Sequence, residues 1–351
     1  MNKIHSTQLF AILMLSAAWS VLCLPEIGSS TMLISCAVML AVLLILSVPM
    51  LLLTAEGFSL SQAAARKKWL GLLYIIYFLL WGANGFSQFW EVSSVISLPV
   101  SGSLTAAVLM VAACLYTCSL GLKAMARCAP FVLGLLGIAV VVLIIGAYSR
   151  TDITRLVPEH DGIWRHCLTC FSMCGELTAA FVLLDRTKGS RRHAVWGYLT
   201  GRTLLMGLVI FLCICAAGRL AGLEPYPFFT LTALSQPLQS QRADALYILV
   251  FVMLFVMHIT LQTGVIAHLM QAMFPKLKGA APVSLAVMLL LSWSLPLREP
   301  AVQMIGSILL LLTAFAVPFL LYLFRRYPHE KTRNSPPAPP AADGVRNGAH
   351  Q

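Results

Sequence analysis

Glu176 falls in the middle of an apolar stretch, directly after a glycine, in Phe171-Ser172-Met173-Cys174-Gly175-Glu176. A carboxylate in such surroundings is expensive and marks a functional site by default. It can bind a substrate ammonium, take up a proton, or hold an unwound segment together. A buried structural hydrogen bond is the plain alternative. A second constellation is Trp81-Gly82-Ala83-Asn84-Gly85-Phe86-Ser87-Gln88. Asn84 and Gln88 are four apart, share a helix face, and can line a cavity or bond a neighbouring helix. His258 and Gln262 repeat that spacing, with His268 beyond them. A histidine so placed serves as a packing residue or as a ligand contact. The stretch Ser16-Ala17-Ala18-Trp19-Ser20 offers small residues that permit close approach or unwinding.

Other polar groups suit structural roles. Arg202 lies near the start of its apolar segment, where it can snorkel to a basic edge. Cys167, Cys170 and Cys174 share one stripe beside His166, but a metal there would want a fourth ligand and a closed geometry. Small-residue helix packing accounts for that stripe. Cys36, Cys114, Cys118, Cys213 and Cys215 lie inside apolar segments as small apolar residues. No disulfide framework, metal or cofactor is expected. No phosphate loop, zinc-protease motif, nucleophile elbow or paired catalytic carboxylates occur. The sequence therefore does not point to an enzyme.

The elements that position these residues are long apolar runs. The chain has 351 residues, of which 59% are hydrophobic and 11% charged. A soluble domain carries about 25% charged residues, so the bilayer is the main solvent. Runs of about 20 apolar residues span its hydrocarbon core as helices. Ten are read, at 8–24, 32–54, 69–91, 103–122, 129–148, 164–184, 196–222, 244–273, 281–297 and 302–324. One side receives Lys3, Arg66, Lys67, Lys68, Lys123, Arg127, Arg186, Lys188, Arg191, Arg192, Lys276, Lys278 and the basic residues after Phe324. The other receives Arg150, Arg155, Arg219, Arg242 and Arg298. This bias predicts both termini in the cytoplasm and an even number of helices. It also explains the net charge of +11 without nucleic acid as a partner.

Lys3 and the first apolar run have the outline of a signal peptide, and Cys23 of a lipoprotein site, but Leu22 stands where the latter would want a small residue, and no secreted domain follows. The expected organisation is one membrane domain, 1–325, and a disordered Pro-rich cytoplasmic tail, 326–351. Residues 55–66 read as a cytoplasmic connection with an interfacial helix. The external loop at about 219–243 reads as a turn at Pro225 and Pro227 followed by an amphipathic helix. Ten helices divide into five plus five, which inverts the second half. That is the inverted-repeat plan of many secondary transporters, with the first helix of each half broken near the midplane. Those are the first and sixth helices, so Ser16–Ser20 and Gly175-Glu176 fall at the two expected breaks.

In that frame the chain resembles the B subunit of spore germinant receptors, a permease-like germination family. That family is itself similar to the amino acid–polyamine–organocation superfamily, with its LeuT-like fold. The resemblance covers about 1–327. It rests on Ser6-Thr7-Gln8-Leu9-Phe10, Leu22-Cys23-Leu24-Pro25, Leu98-Pro99, Asp152-Ile153-Thr154-Arg155-Leu156-Val157-Pro158, Gly175-Glu176, Tyr226-Pro227 and Arg242-Ala243-Asp244. It implies a multi-pass protein of the spore inner membrane, acting in spore germination. Its implied partners are a larger membrane A subunit, a lipoprotein C subunit, membrane lipid and a small nutrient, often an amino acid. Ligand binding is implied between helices 1, 3, 6 and 8. Those carry Ala17, Ala18, Trp19 and Ser20; Asn84 and Gln88; Ser172, Gly175 and Glu176; and His258 and Gln262. Ala18-Trp19 departs from the family, which often has a small residue or glycine at that bend. A cation- or proton-coupled amino acid transporter shares the same frame.

Overall fold

Helices account for this chain because a backbone in hydrocarbon must satisfy its own hydrogen bonds. The computed structural model describes residues 4–25, 27, 29–95, 100–156, 162–235, 244–277, 279–297 and 299–324. The expected tail, 326–351, lies outside the described residues, as do Leu98-Pro99, Val157-Pro158, Arg242-Ala243 and Arg298. Chain order gives α1 (Ser6–Leu22), α2 (Thr31–Leu46), α3 (Val48–Ala55), α4 (Leu60–Arg66), α5 (Lys68–Val95), α6 (Val100–Tyr148) and α7 (Ile163–Ser172). Then follow α8 (Glu176–Leu183), α9 (Arg191–Ala217), α10 (Pro227–Leu234), α11 (Asp244–Met273), α12 (Ala280–Ser294), α13 (Pro300–Leu311) and α14 (Val317–Phe324). A π-helical turn, Leu312–Ala316, joins the last two. Among the described residues the strands are a single parallel pair, β1 (Ile4–His5) with β2 (Thr187–Lys188).

The chain is an all-α polytopic membrane protein. Among the described residues, seven helical spans are long and apolar enough to cross a membrane: Thr31–Ala55, Lys68–Val95, Val108–Tyr148, Ile163–Arg186, Arg191–Ala217, Ala245–Met273 and Val302–Leu323. Ser6–Leu22 and Ala280–Ser294 are apolar but shorter. α2 shows how lipid sorts the surfaces. Met32, Ser35, Cys36, Met39 and Leu43 are buried at helical spacing, while Ile34, Val38, Val42 and Ile45 are exposed. A helix apolar on both faces turns one toward protein and the other toward lipid. Phe131 and Trp164, both 82% exposed, follow the same logic.

α1 runs through the centre, against α6, α8, α9 and α11. Its expected break is absent: α1 is continuous from Ser6 to Leu22 and leaves helical geometry only at Cys23. Ala17 and Ala18 are strong helix formers, and no glycine or proline opposes them. His5 caps its start, accepting from Thr7, while the Gln8 side chain accepts from the His5 backbone. The β1–β2 pair then ties this end of α1 to the chain leaving α8. The expected connection at 55–66 contains a short helix, α4, whose Ser59 cap accepts from the Gln62 backbone. The expected helix after Pro227 is α10, with that proline in its first turn and Phe228 and Leu231 turned inward.

α6 covers two of the ten apolar segments. It is interrupted at Gly121, whose φ of 81° and ψ of 166° are not helical. That region of backbone space is essentially reserved for glycine.

Candidate functional site

The sixth apolar segment is broken. α7 ends at Ser172, α8 begins at Glu176, and Met173-Cys174-Gly175 lie between. Tight turns replace the regular ladder there: Cys174 N–H donates to the Phe171 carbonyl at 2.9 Å, and Leu177 N–H to the Cys174 carbonyl at 3.0 Å. Gly175 has ordinary helical dihedrals. Its glycine is required by space, since a Cβ would stand 2.6 Å from Trp81 Cζ2 and 2.7 Å from the Tyr77 hydroxyl. α5 therefore packs its aromatic face directly on the break.

Glu176 heads α8 and is 0% exposed. The positive end of a helix favours a carboxylate there. Ser16 and Ser20, one turn apart on α1, donate to its Oε1 at 3.1 and 3.4 Å. Tyr198 of α9 donates to its Oε2 at 3.2 Å. His258 of α11 places Nδ1 3.8 Å from Oε1 and 2.9 Å from the Ser16 hydroxyl. Ser16 has one proton. Giving it to Glu176 leaves the Ser16 oxygen to accept from His258 Nδ1–H, so His258, Ser16 and Glu176 form a one-way chain of donors.

The other end of the break meets a cation. Arg202 lies one turn beyond Tyr198 on α9, is 2% exposed, and donates from Nη2 to the Cys170 carbonyl at 2.9 Å. It thus caps the last turn of α7, where the helix dipole is negative. The snorkelling expected of Arg202 does not occur, because the exposed carbonyls of a broken helix are a nearer partner than water. Cys36 and Cys170 bring their sulfurs within 3.4 Å beside it, and all ten cysteines are free thiols.

An aromatic wall closes the site on the α5 and α11 side. Trp19 and Trp81 each stand with ring centres 6.3 Å from His258. Trp19 packs on Phe251 at 4.6 Å and Phe255 at 5.1 Å. Gly85 lets the histidine lie against the α5 backbone, since a Cβ there would be 2.9 Å from His258 Cδ2. A groove of ≈ 300 Å³ between Trp90, Val111, Leu289 and Trp293 and a void of ≈ 20 Å³ near Leu143 and Phe228 are both apolar, and neither reaches Glu176. Glu176, Trp19 and His258 are each no more than 1% exposed.

The structure brings together Trp19, Ser20, Gly175, Glu176 and His258 of the sequence candidates. Ala17 and Ala18 are buried packing residues of α1. Ser172 turns back to the Thr169 carbonyl of its own helix at 2.9 Å. Asn84 and Gln88 are half-buried beside the Trp81–Gly85 face, and the side chain of neither is hydrogen-bonded to a described residue. Gln262 is fully buried, with both amide atoms unpartnered among the described residues. Sequence reasoning left out Ser16, Tyr77, Trp81, Tyr198 and Arg202 as site residues. The usable signal was their spacing: Tyr198 and Arg202 share one face of α9, and Tyr77, Trp81 and Gly85 share one face of α5. The chain matches no protein-family model and no curated protein sequence.

Proposed function

We propose that this chain is the nutrient-sensing, permease-like subunit of a germinant receptor, binding a small ligand, an amino acid, at the helix break. The observation that carries the reading is a fully buried carboxylate at the head of a broken helix, held by serines of the central helix α1. The reading takes the chain to cross the membrane ten times in a five-plus-five inverted repeat. At 1.5 Å per residue the 41-residue span Val108–Tyr148 is about 60 Å long, twice the hydrocarbon thickness, and its glycine interruption divides it into two. The shorter apolar helices α1 and α12 complete the ten. The inverted repeat expects a break in the sixth helix, which is present, and one in the first, where α1 is continuous. In this reading the protein lies in the spore inner membrane with both termini cytoplasmic. Ligand binding favours one arrangement of the two halves, and the A subunit reads the shift beside the lipoprotein C subunit.

A second reading has its own support. The His258–Ser16–Glu176 chain is a ready proton site, which suits a proton-coupled amino acid transporter. Radiolabelled amino acid binding and uptake by proteoliposomes holding this chain alone, with and without a proton gradient, separates the two. Binding without accumulation supports the sensor. Gradient-driven accumulation supports the transporter and overturns the sensor.

A further inference from the structure

We infer that the helix break takes a zwitterion, with the ligand's carboxylate on Arg202 of α9 and its ammonium on Glu176. This rests on the reading that the break binds a small ligand, and it names the two charged contacts.

Broken-helix sites offer a helix N-terminus to an anionic ligand group. Here that end is already taken. Glu176 is itself in the first turn of α8, so a ligand carboxylate placed there would meet a like charge. Arg202 sits at the opposite end of the break, bonded to the Cys170 carbonyl, and makes no ion pair among the described residues. The two charges are held apart on one interruption, each facing a helix end of opposite sign.

The unmet hydrogen bonds around the break point the same way. Arg202 Nε, Trp81 Nε1 and Trp19 Nε1 are all buried without a partner. Each is a donor with no accepting capacity, and a buried donor without an acceptor is costly. These three donors lack acceptors, and a carboxylate brings two acceptor oxygens, while Gln262, one turn beyond His258 on α11, is unmet in both its donor and its acceptor. At Glu176 the demand is reversed: its Oε1 is met by neutral hydroxyls at 3.1 and 3.4 Å, which an ammonium can replace with a charge-assisted bond. A free amino acid carries both groups on one carbon, whereas a simple amine or a simple carboxylate satisfies one end and leaves the other unpaired.

The test varies the ligand on the wild-type full-length chain in detergent, read by tryptophan fluorescence and thermal unfolding. The twenty common L-amino acids are titrated singly, then each binder is compared with its amide, which keeps the ammonium and loses the carboxylate charge. The expected result is that the amide binds at least about tenfold more weakly, as for a lost charge-assisted contact. In Arg202→Gln the acid and the amide should bind alike, and Arg202→Lys should restore part of the difference. Equal binding of acid and amide to the wild type overturns the carboxylate assignment and leaves the small-ligand reading standing. A difference that persists in Arg202→Gln overturns it also. Binding of none of the twenty overturns both. If Arg202→Gln does not fold, the acid–amide comparison on the wild type decides alone.

Discussion

Glu176 and Arg202 occupy the two ends of one helix interruption, the first heading α8 and the second capping the Cys170 carbonyl of α7. Tyr198 and Arg202 are one turn apart on α9, so a single helix face serves both ends: Tyr198 reaches the carboxylate at 3.2 Å and Arg202 reaches the carbonyl at 2.9 Å. The break is therefore braced by α9 as well as by α1. Rotating or shifting α9 would disturb both ends together, which gives the site a mechanical link to the rest of the bundle.

Glu176→Gln keeps the volume and one acceptor but removes the charge. Ligand binding in proteoliposomes should fall by about tenfold or more, as for a lost charge-assisted contact. Glu176→Leu should behave differently, because it strands the buried hydroxyls of Ser20 and Tyr198 and leaves Ser16 with His258 alone. Unpaired buried groups cost about 1–3 kcal/mol each. Its unfolding temperature in detergent should drop clearly while that of Glu176→Gln stays near wild type. Equal melting of the two variants would refute the hydroxyl brace.

Gly175→Ala tests the close approach of α5. The added Cβ would stand 2.6 Å from Trp81 Cζ2, and overpacking of this kind costs about 1–3 kcal/mol. Trimming the neighbour should recover part of the loss, so Gly175→Ala with Trp81→Phe should be less damaging than the sum of the single changes. Thermal unfolding of the four proteins measures this, and strict additivity would mean that the indole does not confine Gly175.

The helix frame was legible because apolar runs of membrane length leave few alternatives, and the sixth-helix break because a glycine and a carboxylate stand together in mid-span. The first-helix break was misread: small residues permit unwinding, but Ala17 and Ala18 also favour helix, and packing on four neighbours keeps α1 straight. Arg202 was misread for a different reason. Its distance from the basic edge suits snorkelling, and only the tertiary position of the Cys170 carbonyl offers a nearer partner. The β1–β2 pair could not be read at all, since two residues carry no periodicity and their partner is far along the chain.

Asp152 gives a pH-dependent element outside the membrane spans. Its carboxylate accepts from the Thr154 hydroxyl at 2.7 Å and the Thr154 backbone at 3.0 Å, and the Asp152 N–H donates to the Cys215 carbonyl at 3.0 Å. The Thr154 hydroxyl, then its backbone N–H and the nearby Arg155 charge, hold the Asp152 carboxyl below its usual 3.8. A group whose acidity is raised by folding stabilises the fold above its unfolded value and loses that contribution as pH falls through the folded value. Hydrogen exchange of residues 150–156 should therefore be steady from pH 7 to about 5 after correction for intrinsic rates, and protection should decline below about pH 4. Asp152→Ala should show the low-pH behaviour throughout. A decline centred near neutrality would exclude the carboxylate as its cause.

Gly121 makes the sharpest test of the divided sixth element, α6, because its environment is empty. A Cβ at Gly121 would meet nothing within 4 Å, and the same is true at Gly134 and Gly137 on the same element. Space is thus equal at the three positions and only the backbone differs: Gly121 has φ 81° and ψ 166°, while the other two have no positive φ. Alanine at Gly121 must pay backbone strain of about 1–3 kcal/mol. Alanine at Gly134 or Gly137 removes a poor helix former from a helix interior and should stabilise by about 0.5–1 kcal/mol. The predicted outcome is opposite signs of change in unfolding temperature for chemically identical substitutions. Asparagine at Gly121 should fail as alanine does, since this conformation lies outside the left-handed region that asparagine tolerates. If Gly121→Ala is neutral or stabilising, the helix runs through that point unbroken, and a continuous α6 too long for one crossing would leave ten crossings without support.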